Sequence, residues 1–520
     1  MGQLADQRTT NQLKHYLVVA ISLLLLSLIL RLPFFFPDVI DWDESTFILM
    51  GQSILDGHLP YTELWDNKPP LAFVCFAVFI ALFGKSIVAI RFAGALCVAL
   101  VSFLIYLIGK TIWSDRIGIL GATQFITISS VLPEAQALMT EHLALVPLMG
   151  ALSLLVAQKP TPLILFAAGI LMAIATLIRL NLAYVGLIVG LLLVFQKPLR
   201  SSAEFLKRGL AYACGNLLVV FLTYIPYAIA NYQQTWWSSV IFAPWIYANS
   251  QSKSSWDVIG LNVLCVLILI GGWLGLKLLF RRWKKISQVQ QNQLTLLVVF
   301  FLATEISILK SGASYSHYTI QLYPFFGLIA ALLLNTFLPS KVRLRTVITV
   351  LSILAILLSE IFTKYQIIAE RALAGQPLTY GPGYEIATYL NRENVSQGQD
   401  SSKDGFPVAG NCPSVYMMSD HIAYWLTDLK PLTKLTTHPS NISREYLLKA
   451  LLGSEATTET EMAKILAQQP KFIVKKKDLW YLSDKLAARI LLEETLKTQY
   501  KLVKEIQERE IYRKIELHPN

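Results

Sequence analysis

From about His15 to residue 363 the chain is a succession of apolar runs about 20 residues long, separated by short polar or basic loops. This pattern constrains the fold more than any other feature. Lipid offers the backbone no hydrogen-bond partner, so each crossing segment must satisfy its own amides as a helix. Hydrophobic residues make up 54% of the chain and charged residues only 15%, against about 25% charged in soluble domains. The expected fold class is a polytopic α-helical membrane protein. The net charge of +11 does not point to nucleic acid, because much of the basic excess lies in short inter-span loops, where it sets orientation.

Charge and length together predict a topology. Arg8 and Lys14 precede the first run, His15 to Phe36, which places the N-terminus in the cytoplasm. That run is longer than a signal-peptide core and carries no small-residue cleavage site, so it reads as the first span. The run from Pro69 to Gly84 is short. If it crossed, the basic loops Lys110–Arg116, Lys197–Arg208, Arg281–Lys285 and Lys341–Arg345 would all fall outside, against the positive-inside rule. It is therefore expected to lie in or dip into the outer leaflet. The next span is Ser86–Gly109, followed by spans near 117–132, 142–157, 162–178, 182–196, 209–230, 257–280, 293–309, 321–337 and 344–363, giving about 11 in all. The expected division is a membrane domain over 1–363 and a small extracytoplasmic α/β domain over 364–520.

The tail carries turn-rich Gly381-Pro382-Gly383 and a low-complexity stretch, Ser396–Asp404. Helical periodicity appears at Tyr384–Leu390, Arg444–Leu452 and Leu479–Leu496. Lys471–Val474 reads as a strand, and Tyr500–Ile506 with Ile511–Leu517 as a hairpin around Gln507–Glu510. The five cysteines form no framework: Cys75, Cys97, Cys214 and Cys265 sit in apolar runs, and Cys412 stands alone in the tail.

This topology gathers Asp43, Glu44, Lys68, Arg91, Glu141, Arg179 and His317 at one membrane face, from segments far apart in sequence. A charge at bilayer depth costs roughly 2.5–3.5 kcal/mol, so such residues are functional candidates. Carboxylates can take a proton from a hydroxyl, and lysine or arginine can bind a phosphate and steady its charge as it leaves. Each residue also has a structural alternative. Asp43 or Glu44 can cap the following helix, Lys68 can snorkel, Glu141 can complement a helix dipole, and Arg179 and His317 can anchor at the interface. Trp236, Trp237 and Trp245 fit an aromatic belt, though sugar-stacking rings look the same. Glu305 falls within a span and has no assignment.

Three stretches resemble membrane glycosyltransferases of the GT-C fold, in particular the protein O-mannosyltransferases and lipid A aminoarabinose transferases of family 39 and its bacterial relatives. They are Asp43-Glu44 followed by Met50–Gly57, then Asn67-Lys68-Pro69-Pro70-Leu71 with Leu82-Phe83-Gly84 and Ala89-Ile90-Arg91, then His317-Tyr318 running to Leu322-Tyr323-Pro324. The resemblance covers about residues 15–340. It implies a GT-C membrane domain with interfacial helices, a polyprenyl-phosphate-sugar donor, a lipid, glycan or protein acceptor, and an inverting displacement at the outer face of an inner or plasma membrane. Carried onto this sequence, Asp43 is the general base, with Glu44 and Glu141 as further catalytic carboxylates. Glu141 stands where relatives usually have an acidic residue, often Asp. Lys68 contacts the donor phosphate, Arg91 and Arg179 support it, and His317 and Tyr318 line the substrate site. The residues alone do not separate Asp43 from Glu44; the resemblance assigns the base to Asp43. No cofactor is required for displacing an activated phosphate ester. A divalent metal held by Asp43, Glu141 and His317 is compatible with the residue types, but no spacing demands it. The alternative function is a transporter or flippase of lipid-linked sugars, for which internal repeats and midplane polar residues are more usual; no repeat is visible, and the carboxylates gather at one interface. A polymer ligase using a polyprenyl diphosphate is expected to carry more basic residues outside.

Overall fold

The computed structural model describes residues 2–195, 202–250, 286–311, 315–337, 358–397, 414–435 and 437–516, with side chains from Thr10. Among these, six helical segments are long and apolar enough to cross a bilayer: Thr10–Phe35, Ile87–Ile112, Thr140–Ala157, Ser202–Ile229, Gln288–Lys310 and Ser316–Asn335. Pro162–Ile178 and Leu180–Phe195 are apolar but shorter, and the expected span at 117–132 is a 17-residue helix, Asp115–Val131. The expected span at 257–280, most of that at 344–363, the loops Arg281–Lys285 and Lys341–Arg345, Cys265, Cys412 and the Ser396–Asp404 stretch beyond Gln397 lie outside the described residues. Pro70–Phe83 is a helix of 14 residues, about 21 Å long at 1.5 Å per residue. That is too short for a hydrocarbon core of about 30 Å, as the charge pattern requires.

The chain forms two compact units. The first comprises residues 1–35, 88–225 and 251–374. Its helices approach closely through glycine, as helices in lipid do where dispersion must replace the hydrophobic effect. A Cβ on Gly327 would lie 2.6 Å from the Gly121 carbonyl, which seats the Tyr323–Phe337 helix against Asp115–Val131. Gly169 and Gly215 do the same for Pro162–Ile178 and Ser202–Ile229, where added Cβ atoms would meet the Tyr212 and Phe166 carbonyls at 2.3 and 2.2 Å. The first helix presents an exposed stripe of Leu13, Leu17, Ile21, Leu25 and Ile29 at four-residue spacing, one helical face suited to lipid.

The second unit comprises residues 36–87, 226–250 and 375–520. The segment after the first span thus packs with the C-terminal region. Helix Trp42–Leu55 lies against Pro70–Phe83, with Gly51 opposite Phe76 because any Cβ would come within 2.8 Å of that side chain. Trp65 N–H donates to the Lys434 carbonyl at 2.8 Å, and the Thr437 hydroxyl donates to the Trp65 carbonyl at 2.7 Å. Thr46 Oγ1 donates to the Thr437 carbonyl at 2.7 Å. At the other end, the Asp38 carboxylate accepts from Gly383 N–H at 2.6 Å. Gly381 there has φ 123°, and a Cβ on it would clash with Asp38.

The C-terminal region holds a four-stranded sheet of order β1-β2-β4-β3, with β1 Val415–Met417, β2 Phe472–Lys476, β3 Tyr500–Ile506 and β4 Arg509–Lys514. β1 and β2 are parallel; β4 is antiparallel to both β2 and β3. The β3–β4 turn is the pair Gln507-Glu508, both with positive φ, as a tight hairpin turn requires. Helices Thr458–Ala467 and Leu486–Gln499 cover the sheet, burying Met462, Ile465, Leu492 and Leu496 against Tyr416 and Ile473.

Candidate active site

In the second unit the acid pair opens a helix. Asp41 caps it, its carboxylate accepting from Asp43 N–H at 2.8 Å. Asp43 and Glu44 therefore occupy the first turn, where the helix dipole favours negative charge. Glu44 is buried, at 1% exposure, whereas the Asp43 side chain keeps 15%. Asp43 Oδ2 stands 3.2 Å from Lys68 Nζ. The two residues, read from the sequence as sharing one membrane face, are in contact. Pro69 and Pro70 explain how Lys68 is aimed. Pro69 has extended backbone (φ −65°, ψ 157°) and Pro70 starts the next helix, so the lysine precedes a stiff corner. Its backbone is held as well: Lys68 N–H donates to Asp66 Oδ1 at 3.1 Å, and the Tyr61 hydroxyl donates to the Lys68 carbonyl at 2.7 Å. Burial pushes the Asp66 carboxyl above its ordinary pKa, against the opposing pull of Lys68.

A residue from the tail completes this cluster. His438 Nε2 lies 3.8 Å from Asp43 Oδ1. Its Nδ1 accepts the Ser440 backbone N–H at 3.2 Å, which fixes the tautomer with hydrogen on Nε2, facing Asp43. Burial pushes the imidazole pKa down to about 3, so the ring is neutral at physiological pH. Asp43 thus has an ammonium 3.2 Å from Oδ2 and a neutral imidazole 3.8 Å from Oδ1.

The first unit holds a second cluster. Glu141 begins helix Thr140–Ala157, is fully buried, and its Oε1 stands 2.7 Å from Arg179 Nη2. Arg179 Nη1 donates to Thr140 Oγ1 at 3.0 Å, and that hydroxyl donates to Glu141 Oε2 at 3.2 Å. The guanidinium lies over the Tyr318 ring, 4.1 Å from its centroid. His317 bridges two carboxylates, with Nε2 3.8 Å from Glu141 Oε1 and Nδ1 3.5 Å from Glu134 Oε2. The His317 ring, with help from the Ser316 hydroxyl, holds the Glu134 carboxyl below its ordinary pKa. Four predicted residues, Glu141, Arg179, His317 and Tyr318, are thereby brought together. Arg91 is 1% exposed, and its Nη1 donates to the Phe34 carbonyl. Glu305 is buried within helix Gln288–Lys310.

Several residues of both clusters had no sequence signal. His438 lies in a tail without motif. Asp66 directly precedes the Asn67-Lys68-Pro69-Pro70 stretch, and an acid beside a fixed lysine was the available clue. Arg31 donates to the carbonyls of Ser129, Ala135 and Gln136 at 2.6–2.9 Å, pinning the Pro133–Gln136 turn that carries Glu134. A buried arginine at the end of a span is a candidate by cost alone. Among the described residues, no group of three His, Cys, Asp or Glu side chains is placed to hold a metal ion.

Residues 67–230 match the family model described as dolichyl-phosphate-mannose-protein mannosyltransferase. No curated protein matches the sequence. Crystal structures of ArnT from Cupriavidus metallidurans share the fold. The form bound to undecaprenyl phosphate is 15% identical, with a TM-score of 0.57, over 97% of this chain and 98% of that one. The apo form is 13% identical, with a TM-score of 0.55, over the same shares. The archaeal oligosaccharyltransferase AglB from Archaeoglobus fulgidus, in complex with an inhibitory peptide and a dolichol-phosphate, is more distant: 13% identity and a TM-score of 0.45, over 89% of this chain and 69% of that one. The family match covers residues 67–230, which include the Lys-Pro-Pro stretch read from the sequence, and the chain shares the fold of ArnT along nearly its whole length.

Proposed function

We propose that this protein transfers a sugar from a polyprenyl-phosphate donor to an extracytoplasmic acceptor, with inversion, using Asp43 as general base. The observation that carries the proposal is the Asp43–Lys68 pair at 3.2 Å, partly exposed, on two rigid helix starts. The family description names a dolichyl-phosphate sugar and the ArnT structure holds undecaprenyl phosphate; both support a lipid-phosphate donor here.

The chemistry divides between the two side chains. A sugar phosphate ester already carries its leaving group, so the transferase must take a proton from the acceptor hydroxyl and offset charge on the departing phosphate. Asp43, paired with the Lys68 ammonium and beside the His438 ring, accepts the proton as the hydroxyl oxygen attacks the anomeric carbon. The bond from that carbon to the phosphate oxygen breaks, and the electron pair leaves on the phosphate. Lys68 exchanges its contact with Asp43 for the phosphate. Glu44, being buried, supports the helix start. Arg91 and Arg179 have their guanidinium groups engaged by the Phe34 carbonyl and by Glu141 with Thr140, which supports framework roles for both rather than donor contact. His317 and Tyr318 position Glu141 and Arg179. Asp43 and Lys68 can supply the base and the cation for this step. The basic loops on the other face support a cytoplasmic N-terminus and an outward-facing 364–520 region.

The test is turnover by the purified protein in lipid nanodiscs with a panel of radiolabelled polyprenyl-phosphate sugars and a mixed acceptor extract. Release of polyprenyl phosphate coupled to a labelled acceptor of inverted anomeric configuration supports the proposal. Movement of intact donor across a vesicle bilayer, with no cleavage, would replace it with the flippase.

A further inference from the structure

Next to Asp43 on its helix stands Trp42, and the C-terminal region builds a surface around it. The Trp42 and Trp480 indoles are parallel, with centroids 5.8 Å apart and planes 9° from each other. Trp480 is 50% exposed. Half of its surface is thus open to a ligand beside Trp42. Lys476, at the end of β2, places its ammonium 4.6 Å from the Trp42 ring centroid. Its neighbours Lys475 and Lys477 are paired with Glu510 and Glu505, but among the described residues no carboxylate pairs with Lys476. Trp42 also meets His438 edge-on at 6.1 Å, and His438 in turn reaches Asp43 at 3.8 Å. The surface is therefore continuous with the base.

We propose that Trp480, Trp42 and Lys476 form an acceptor subsite for an acidic saccharide, whose sugar ring stacks on the indoles and whose carboxylate meets Lys476. The electron-poor C–H face of a pyranose fits the negative face of an indole. Lys476 brings a cation whose own partner is a π-face, so a carboxylate can take it at little cost. A sugar seated there would carry its hydroxyls on the side of His438 and Asp43. The proposal deepens the transferase reading and rests on it for the role of the bound sugar, but the subsite itself can be tested separately.

The experiment is isothermal titration calorimetry of the full-length protein in nanodiscs with trigalacturonate and, in parallel, maltotriose. The same preparations are assayed for release of polyprenyl phosphate by the wild type. The wild type is expected to bind trigalacturonate more tightly than maltotriose. Trp480→Ala should weaken binding by about tenfold or more, as loss of a central tryptophan does, and Trp480→Phe should retain most of it. Lys476→Met should erase the preference for the acidic trisaccharide. Absence of saccharide binding by the wild type overturns the subsite whatever the donor assay gives. So does equal affinity in Trp480→Ala, or quenching of Trp480 by brominated phospholipid with no response to saccharide, which marks an interface anchor. Saccharide binding that depends on Trp480, in a protein that turns over no donor, would keep the subsite and overturn the transferase reading instead.

Discussion

Replacing Arg179 by methionine strands a buried carboxylate, and the structure fixes how severe that is. Glu141 is fully buried and Arg179 4% exposed, with 2.7 Å between Oε1 and Nη2. Unit charges that close attract by about 6 kcal/mol at an effective dielectric of 20. Most of that attraction offsets the cost of taking two ions from water, so the intact pair adds little net stability. Breaking it is different, because the remaining charge keeps its desolvation cost with nothing to offset it, which costs roughly 3–5 kcal/mol. Thr140 Oγ1 and His317 both stand near Glu141 and soften the loss, which places Arg179→Met near the lower figure. Thermal unfolding in nanodiscs reads this as a fall in Tm of roughly 6–12 °C, given 2–4 °C per kcal/mol for domains of 150–250 residues. The double variant Glu141→Gln with Arg179→Met removes both charges and should recover more than half of the loss. A single variant within 1 °C of wild type, or a double variant as unstable as Arg179→Met, would refute the buried-pair argument.

Other consequences follow from named contacts. Lys68→Met should lower transfer by about 10²–10³, the range for losing one charge-stabilising donor, with the loss shared between kcat and donor KM. Acidification should destabilise the second unit through His438. Its folded pKa is about 3 and its unfolded value about 6.5, so between these the unfolded chain binds the extra proton and stability falls as pH falls. The fall in Tm between pH 6.5 and 4 should be shallower in His438→Gln than in wild type. Gly327→Val should cost about 1–3 kcal/mol by overpacking, since even a Cβ there meets the Gly121 carbonyl at 2.6 Å, and unfolding midpoints of the two proteins check it.

Much of this architecture was legible because lipid simplifies the code. Apolar length and loop charge located the helices and singled out Pro69–Gly84, which is a helix of only 14 residues. The hairpin and the strand near Phe472 were readable from alternation and turn residues. β1 was not, being three residues long and fully buried, with no alternation to detect. Nor did the sequence reveal that residues 36–87 pack with the tail. That association depends on single hydrogen bonds such as Trp65 N–H to Lys434 and Thr46 to Thr437, made between positions almost 400 apart. For the same reason Asp43 and Lys68 were visible as a pair 25 residues apart, while His438 was not. Arg179 was read as a cation for phosphate, but its spacing from Glu141 carried no sign of an ion pair.

The central claim is that Asp43, and not its neighbour, takes the acceptor proton. The most direct measurement compares release of polyprenyl phosphate by wild type, Asp43→Asn and Glu44→Gln in nanodiscs, each shown to be folded by its unfolding transition. The account predicts a loss of about 10²–10⁴ in Asp43→Asn, the range for a general base, and a much smaller loss in Glu44→Gln. Transfer that survives in Asp43→Asn and collapses in Glu44→Gln would contradict it.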